Sequence, residues 1–583
     1  MTVEKYSPLQ EWDYADPEIG FLSGGAMVFA SATDLRIENS TFRYSSAASA
    51  LGVANSQNST VSGNVFENNG AGGFGIDKSS NITVENNRWT SNNTSGFNTT
   101  SCGAYCTLGD TKITHAEGIR FAHNIVDYSN LDKDASLPEN YSTDRRIGVW
   151  FDEGVINSQI VGNYFVNVPV AIFNEVSSKN MIASNIVEGA GVGIHVSGSD
   201  DTQIWNNTIS HALTSIFIQE DDRSKGCNER YEDGSCTRPQ PWSVEHGLSW
   251  DTTGTTIYNN ILSSEQTTAK DGDPWVFSMM MKVTGAQNTD GSGAVYANEM
   301  VTGIDYDVYY RHENPQTLST TVLWNWGADR MNQSVNAEKL SDFTASSSVK
   351  ASGKEANGLD LHGSPENNPF FVKESANPMD KTSDFHLKEG SPASGNGHAL
   401  PEDIAKTLGV NANVAVDRGA LVNVAWGGGA VPGAGDAPAD NANNGDKAAN
   451  NNGGNANNGG KADNNGGNGG NANNGGNGGN ANNGGKADNN GSTVADGAAS
   501  TGGQDAQSAS PSDSKAGAGQ KNSSIAKPGG NAQGGQGQAA AAAAATGDSR
   551  LPLTGASLTG IVLAVAAIVM GGGFILVRRR MAS

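Results

Sequence analysis

Basic residues are in short supply in this chain. Only 37 lysines and arginines face 61 aspartates and glutamates over 583 residues, giving a formal charge of −24 and a pI of about 4.7. Phosphate recognition needs basic clusters, so this balance excludes nucleic acid as a partner. It also makes a neutral glycan a more natural substrate than an acidic polysaccharide. Cysteine is scarcer still: the 4 present form two close pairs, Cys102/Cys106 and Cys227/Cys236, each in an irregular polar stretch. In an exported protein each pair is expected to close as a small disulfide loop. No CxxC or paired-histidine spacing accompanies them, so no metal site is legible and no cofactor is implied. The opening Met1-Thr2-Val3-Glu4-Lys5 lacks the basic and apolar regions of a signal peptide. The features below require export, so the chain is expected to be missing its natural N-terminus.

A long apolar run lies near the C-terminus, from Leu558 to Val577, preceded by Leu551-Pro552-Leu553-Thr554-Gly555 and followed by Arg578-Arg579-Arg580. Such a run suffices to span a bilayer, with the arginines held on the cytoplasmic side. Pentapeptide, span and basic tail in this order resemble the sorting signal of Gram-positive wall-anchored proteins. The resemblance covers 551–583 and implies that a sortase cuts after Thr554 and joins it to peptidoglycan. It therefore implies a cell-wall, extracellular location with sortase and peptidoglycan as partners. Between Gly427 and Asp548 the composition collapses to Gly, Asn, Ala, Asp, Lys and Ser. With almost nothing to bury, that segment is expected to be a disordered, solvated wall spacer.

The front of the chain, 1–426, repeats. Asp34-Leu35-Arg36-Ile37-Glu38-Asn39-Ser40-Thr41-Phe42 is echoed by Asn58-Ser59-Thr60-Val61-Ser62-Gly63-Asn64-Val65-Phe66 and by Asn81-Ile82-Thr83-Val84-Glu85-Asn86-Asn87-Arg88-Trp89. The cassette position falls at 40, 64, 87, 124, 163, 185, 207 and 260, with short spacings of 22 to 24 and longer ones that imply inserted loops. Alternating apolar and polar residues argue for strands, with no competing helical period. A strand-only unit of this size must stack on its neighbours to bury its apolar face. The recurring Asn suits a tight, left-handed turn, and its amide suits a ladder. The pattern resembles the right-handed parallel β-helix of the pectate-lyase-like superfamily, from Ala26 to Leu262 in cassettes. It is expected to continue to Val422 through Asp305–Tyr310, Asp384–Leu387 and Ser391-Pro392. The fold class is therefore all-β, a right-handed parallel β-helix (a solenoid), followed by the linker and a C-terminal transmembrane helix over 558–577.

The repeat becomes chemical at Gly148-Val149-Trp150-Phe151-Asp152-Glu153 and, one coil later, Ala171-Ile172-Phe173-Asn174-Glu175-Val176. With Val149, Phe151, Ile172 and Asn174 inward, Trp150, Asp152, Phe173 and Glu175 point outward. Two carboxylates then stand one above the other on an exposed sheet, each beside an aromatic on which a sugar ring can stack. Neighbouring strands lie about 4.8 Å apart, close to the roughly 5–5.5 Å between the carboxylates of retaining glycosidases. Counting from Asn163 and Asn185 instead puts Glu153 level with Glu175, unless the turn after Asp152 takes an extra residue at Gly154.

This constellation resembles the β-helix family of retaining β-xylosidases, which implies Asp152 as nucleophile and Glu175 as acid/base. His195 on the next coil, Arg223 in the insertion opened by Asp221, and Asp144 ahead of the Trp150 strand are further candidates to bound the substrate with Trp150 and Phe173. The reading is a cell-wall-anchored retaining glycoside hydrolase acting on neutral oligosaccharides or polysaccharides. Alternatives are a hydrolase of host glycans resembling the β-helix lacto-N-biosidases, a polysaccharide lyase, and a non-catalytic glycan-binding adhesin.

Overall fold

The computed structural model of the protein describes residues 1–6, 27–47, 49–95, 109–130, 146–221, 223–265, 279–287, 293–312, 320–325, 334–346 and 353–421. The chain divides into two units, Met1–Gly445 with Arg550–Ser583, and Asp446–Ser549. The described residues all belong to the first; the spacer over 427–548 and the sorting signal with Thr554 lie outside them. Among the described residues no helix is long and apolar enough to cross a membrane.

Each coil contributes three short strands, and strands of successive coils pair in parallel. One row runs through Ser49–Ala54, Gly72–Asp77, Gly109–Glu117, Ile147–Ile156 and Val170–Glu175 to the second halves of Ile186–Ser197 and Thr208–Gln219, then Met279–Thr284. A second passes through Gln57–Ser62, Ser80–Glu85, Arg120–Ala122, Gln159–Val161, Met181–Ala183, Gln203–Trp205 and Thr255–Tyr258. Inside the cylinder like residues stack: Phe42 on Phe66, Phe66 on Trp89 and Trp89 on Phe121, with ring centroids 5.0–5.5 Å apart. Phe121 also belongs to a neighbouring row that is otherwise aliphatic, Val61, Val84, Ile160, Ile182, Ile204 and Ile257, in the same core.

The asparagine ladder runs the length of the described coils. Ser40 N, then the N and Nδ2 of Asn64, Asn87, Asn124, Asn163, Asn185 and Asn207, donate to Oδ1 of the next ladder residue up to Asn260. Asn260 donates in turn to a ninth rung, Asp307. The left-handed turn, expected at the ladder residue, belongs to its predecessor: Asn39, Gly63, Asn86, His123, Gly162, Ser184, Asn206, Asn259 and Tyr306 all have φ between 50° and 65°. Turn and ladder are thus the work of two adjacent residues. The ladder amide needs ordinary geometry to reach the coil above.

Parallel stacking ends sooner than the sequence suggests. Its last member is Leu359–Gly363, paired with Val308–His312. Beyond it Phe371–Lys373 and Asp384–Leu387 form a separate antiparallel pair. Asp384–Leu387 and Ser391-Pro392 therefore belong to a cap that folds back on the coils. Phe370, Phe371 and Phe385 cluster with Ile125, Tyr164, Val166 and Ile186, while Leu400, Ile404 and Ala405 pack on Val161, Met181 and Trp205.

Candidate active site

The register at the two candidate acids follows from their strands. Trp150 pairs with Phe173 and Phe151 with Asn174, so the next step sets Asp152 level with Glu175. On the coil below, Thr114 pairs with Asp152 but Ala116 with Val155, which leaves Glu153 and Gly154 opposite His115. The extra residue is accommodated by left-handed backbone at both, φ 51° at Glu153 and φ 103° at Gly154. A Cβ on Gly154 would stand 2.5 Å from the Trp242 ring, so glycine is required there for space as well as for φ. Glu153 is turned away from the pair, toward Gln240 Nε2 at 3.1 Å and Asn228 Nδ2 at 3.4 Å. Burial and the neighbouring Asp152 raise its pKa.

The acids have contrasting partners. Asp152 lies 2.7 Å from the Lys112 ammonium and accepts the Glu153 amide at 2.8 Å. Glu175 accepts Trp150 Nε1–H at 3.0 Å and Arg223 Nη2 at 2.5 Å. Arg223 is shared with Asp221, which takes Nε at 3.1 Å through each oxygen and Nη2 at 2.5 Å, and which also accepts Ser197 Oγ at 2.8 Å. Against the pull of burial, that arginine holds the Asp221 carboxyl below its ordinary value. With its charge offset by Asp221, Arg223 only partly compensates Glu175. Burial, reinforced by Asp152 and Asp221, pushes Glu175 up to about 7.

The exposed sheet expected from the sequence is absent. Asp152 and Glu175 are each 5% exposed, Trp150 3%, Phe173 1% and His195 2%. The rings form a closed stack: Trp150 on Phe173 at 5.6 Å, Phe173 on His195 at 4.4 Å, and His195 on Phe217 at 4.6 Å. Lys112 Nζ sits 3.6 Å from the Trp150 ring centre at one end, and Lys282 Nζ 4.3 Å from Phe217 at the other. The ring faces of Trp150 and Phe173 are therefore taken by protein groups rather than offered to a sugar, and His195 is no surface histidine. What the aromatic row supplies toward the acids is an edge, the Trp150 indole N–H.

The insertion that carries Arg223 is tied down three ways. Cys227 and Cys236 are joined by a disulfide. Trp242, on the short helix Pro241–Glu245, stacks on His246 and meets His115 edge-on over the bulge. Val176, Leu248 and Trp250 form a small apolar cluster immediately after Glu175. Cys102, Cys106 and Asp144 lie outside the described residues.

One neighbour of the acids escaped the sequence reading. Lys112 sits on a coil lengthened by an insertion, so its level with Trp150 was not countable from spacing. Asp221, by contrast, was legible beside Arg223 as a turn-capping ion pair or a subsite boundary; that the same arginine also reaches Glu175 was not.

Residues 18–131 match the family described as right handed beta helix region, and residues 169–282 match the family described as periplasmic copper-binding protein (NosD). Together with the parallel rows, the matches establish a right-handed β-helix. The second match includes Glu175 and Arg223, whereas Asp152 falls between the two. No curated protein matches the chain.

Proposed function

We propose that the protein is a retaining glycoside hydrolase acting on neutral oligosaccharides, with Asp152 as nucleophile and Glu175 as acid/base. One observation carries the reading: two carboxylates in register on adjacent coils, one paired with a lysine, the other shifted by burial to about 7. A pair whose environments differ in this way divides the roles of nucleophile and acid. In the first step an Asp152 oxygen bonds to the anomeric carbon as the glycosidic C–O bond breaks, and Glu175 gives its proton to the leaving oxygen. In the second, Glu175 takes a proton from water, the water oxygen bonds to the anomeric carbon, and the Asp152 ester is released. Arg223 and the Trp150 N–H position Glu175 throughout. The enclosure of both acids suits the terminal sugar of a chain better than its middle. The β-xylosidase resemblance makes xylosides the first substrates to try, with host-type lacto-N-biosides beside them.

The sorting-signal resemblance at 551–583 supports display on a Gram-positive cell wall, with the 427–548 composition suited to a spacer. Replacing Leu551–Gly555 should abolish covalent attachment to peptidoglycan, which cell-wall fractionation reads directly.

A panel of aryl glycosides and oligosaccharides tests the chemistry. Asp152→Ala should abolish turnover on every substrate that the wild type cleaves. Glu175→Ala should slow poor leaving groups far more than activated aryl glycosides, and added azide should give a glycosyl azide of retained configuration. Near-normal hydrolysis by either variant would sink the assignment. Lys112 and Arg223 beside acids are also groups a polysaccharide lyase uses; an ultraviolet-absorbing unsaturated product would show that chemistry instead. Binding without any product would identify an adhesin.

A further inference from the structure

A second cluster of ligand-type side chains lies at the far end of the strand Thr208–Gln219, where the C-terminal cap meets the coils. His211, His312 and Glu374 bring one potential ligand atom each to within 4.8 Å of the others, and all three residues are buried. They arrive from separate elements. His211 lies within Thr208–Gln219 at a left-handed φ of 52°, His312 ends Val308–His312, and Glu374 follows Phe371–Lys373 in the cap. No local spacing links them, which is why no metal pattern was legible in the sequence.

We propose that His211, His312 and Glu374 bind one divalent first-row transition ion, with zinc as the ion argued for. Two imidazoles and one carboxylate are a borderline-soft donor set that suits such ions rather than calcium or magnesium. The geometry supports this at each ligand. His211 Nε2 faces the Ser375 carbonyl at 2.7 Å. A carbonyl only accepts, so Nε2 carries the proton and Nδ1 presents a lone pair, the outer hydrogen bond typical of metal-bound histidine.

Glu374 has about four acceptor sites. Ser210 takes one on Oε1 at 2.6 Å; Ser263 and Asn368 take two on Oε2 at 2.9 and 2.6 Å. The remaining site on Oε1 looks toward His312 Nε2 at 3.5 Å, a nitrogen that also lies 3.0 Å from Ser263 Oγ. The gap to Oε1 is long for a hydrogen bond. It matches the roughly 3.3 Å edge between two ligands of a tetrahedral ion with bonds of about 2.0–2.1 Å.

The burial of the carboxylate adds to this. Glu374 is a carboxylate only 1% exposed. A buried anion needs a compensating charge, and an ion between the three residues supplies it. Bound there, the ion ties cap to coils, independently of any reaction at Asp152 and Glu175.

The test uses the full chain, stripped with a chelator and dialysed against Zn²⁺ or Co²⁺. Elemental analysis should find one tightly held equivalent of zinc. The cobalt form should show visible ligand-field bands, and zinc should raise the wild-type melting temperature. Glu374→Gln and His312→Ala, checked by circular dichroism for retained β structure, should lose the equivalent and the thermal shift. The cobalt spectrum needs no variant, so the proposal stays testable if these fail to fold. Absence of a retained equivalent and of cobalt bands, or equal metal retention by the folded variants, would overturn it.

Discussion

Asn163 shows what one side chain does in this fold. Its Oδ1 accepts the backbone and side-chain N–H of Asn124, while Nδ2 donates to Phe121 O and to Asn185 Oδ1. Each rung repeats the arrangement until Asp307, where a carboxyl replaces the amide. Asp307 Oδ1 accepts from Asn260, but among the described residues Oδ2 finds no donor, and neither does the buried Glu355 Oε2. Burial pushes Asp307 up to about 7 and Glu355 well above its ordinary value. A carboxyl whose folded pKa is raised contributes stability that is complete below its unfolded value near 4. That contribution is lost as pH rises through about 7. Asp307→Asn removes the titration and supplies an N–H for Glu355. Its melting temperature should therefore exceed the wild type's at pH 8 by more than at pH 5, on the order of several degrees. A constant difference across that range would show that Asp307 does not titrate there. The ladder itself was legible: hydrogen-bonded rungs from 40 to 260 are separated by the spacings read from the sequence. The ninth was recognised as part of the repeat but not as a rung, because its residue type differs. The division of labour between turn and ladder residue was hidden by runs such as Asn86-Asn87, in which both are asparagine.

At the scale of elements, the insertion and the bulge act as one unit. Gly154 leaves room for Trp242, Trp242 seats the insertion, and the insertion delivers Arg223 to Glu175. Sequence counting met this bulge as an ambiguity between Asp152 and Glu153, since an inserted residue displaces everything after it by one. The paired strands on either side, with Phe151 opposite Asn174 above and Thr114 opposite Asp152 below, put the extra residue after Asp152. Burial of the acids was not legible because each strand's alternation tells inward from outward, not whether an outward face is covered. The proposed acid has an expected signature in pH. Glu175, near 7, must be protonated in the free enzyme, so kcat/KM should fall on the alkaline side with an apparent pKa around 7. Arg223→Met removes the positive charge that lowers Glu175 and leaves Asp221, which raises it. The alkaline limb should therefore move upward in pH, even as the maximal rate drops through lost positioning. A limb that stays in place, or moves downward, would separate Arg223 from the acid.

Over the whole molecule, coils and cap are stabilised differently, and the sequence revealed them unequally. Coils announce themselves by repetition, because every rung solves the same packing problem. The cap solves one problem once, so nothing in its sequence recurs. It covers apolar positions on the coils' outer face, Ile125, Tyr164, Val166 and Ile186 against Phe370, Phe371 and Phe385. It also supplies polar partners to acids buried on that face. Lys381 reaches Asp127 at 2.7 Å, and Ser383 donates to Glu188, whose pKa burial pushes up to about 7. The final segment binds along the ladder edge, Asn206 Nδ2 donating to Asp417 O at 2.7 Å and Leu421 N to Ser184 Oγ at 2.7 Å. Truncation should therefore give two distinct results. A chain ending at Trp426 keeps every one of these contacts, and the composition beyond it offers little to bury; its melting temperature should stay within about 2 °C of the full chain. A chain ending at Ser364 uncovers at least two apolar clusters and takes Lys381 from Asp127 and Ser383 from Glu188. At roughly 1.5–3 kcal/mol for each large side chain uncovered, it should melt far lower and associate through the bared face, as size-exclusion chromatography would show. Equal stability of the two truncations would mean that the coils sustain themselves and the cap is only an appendage.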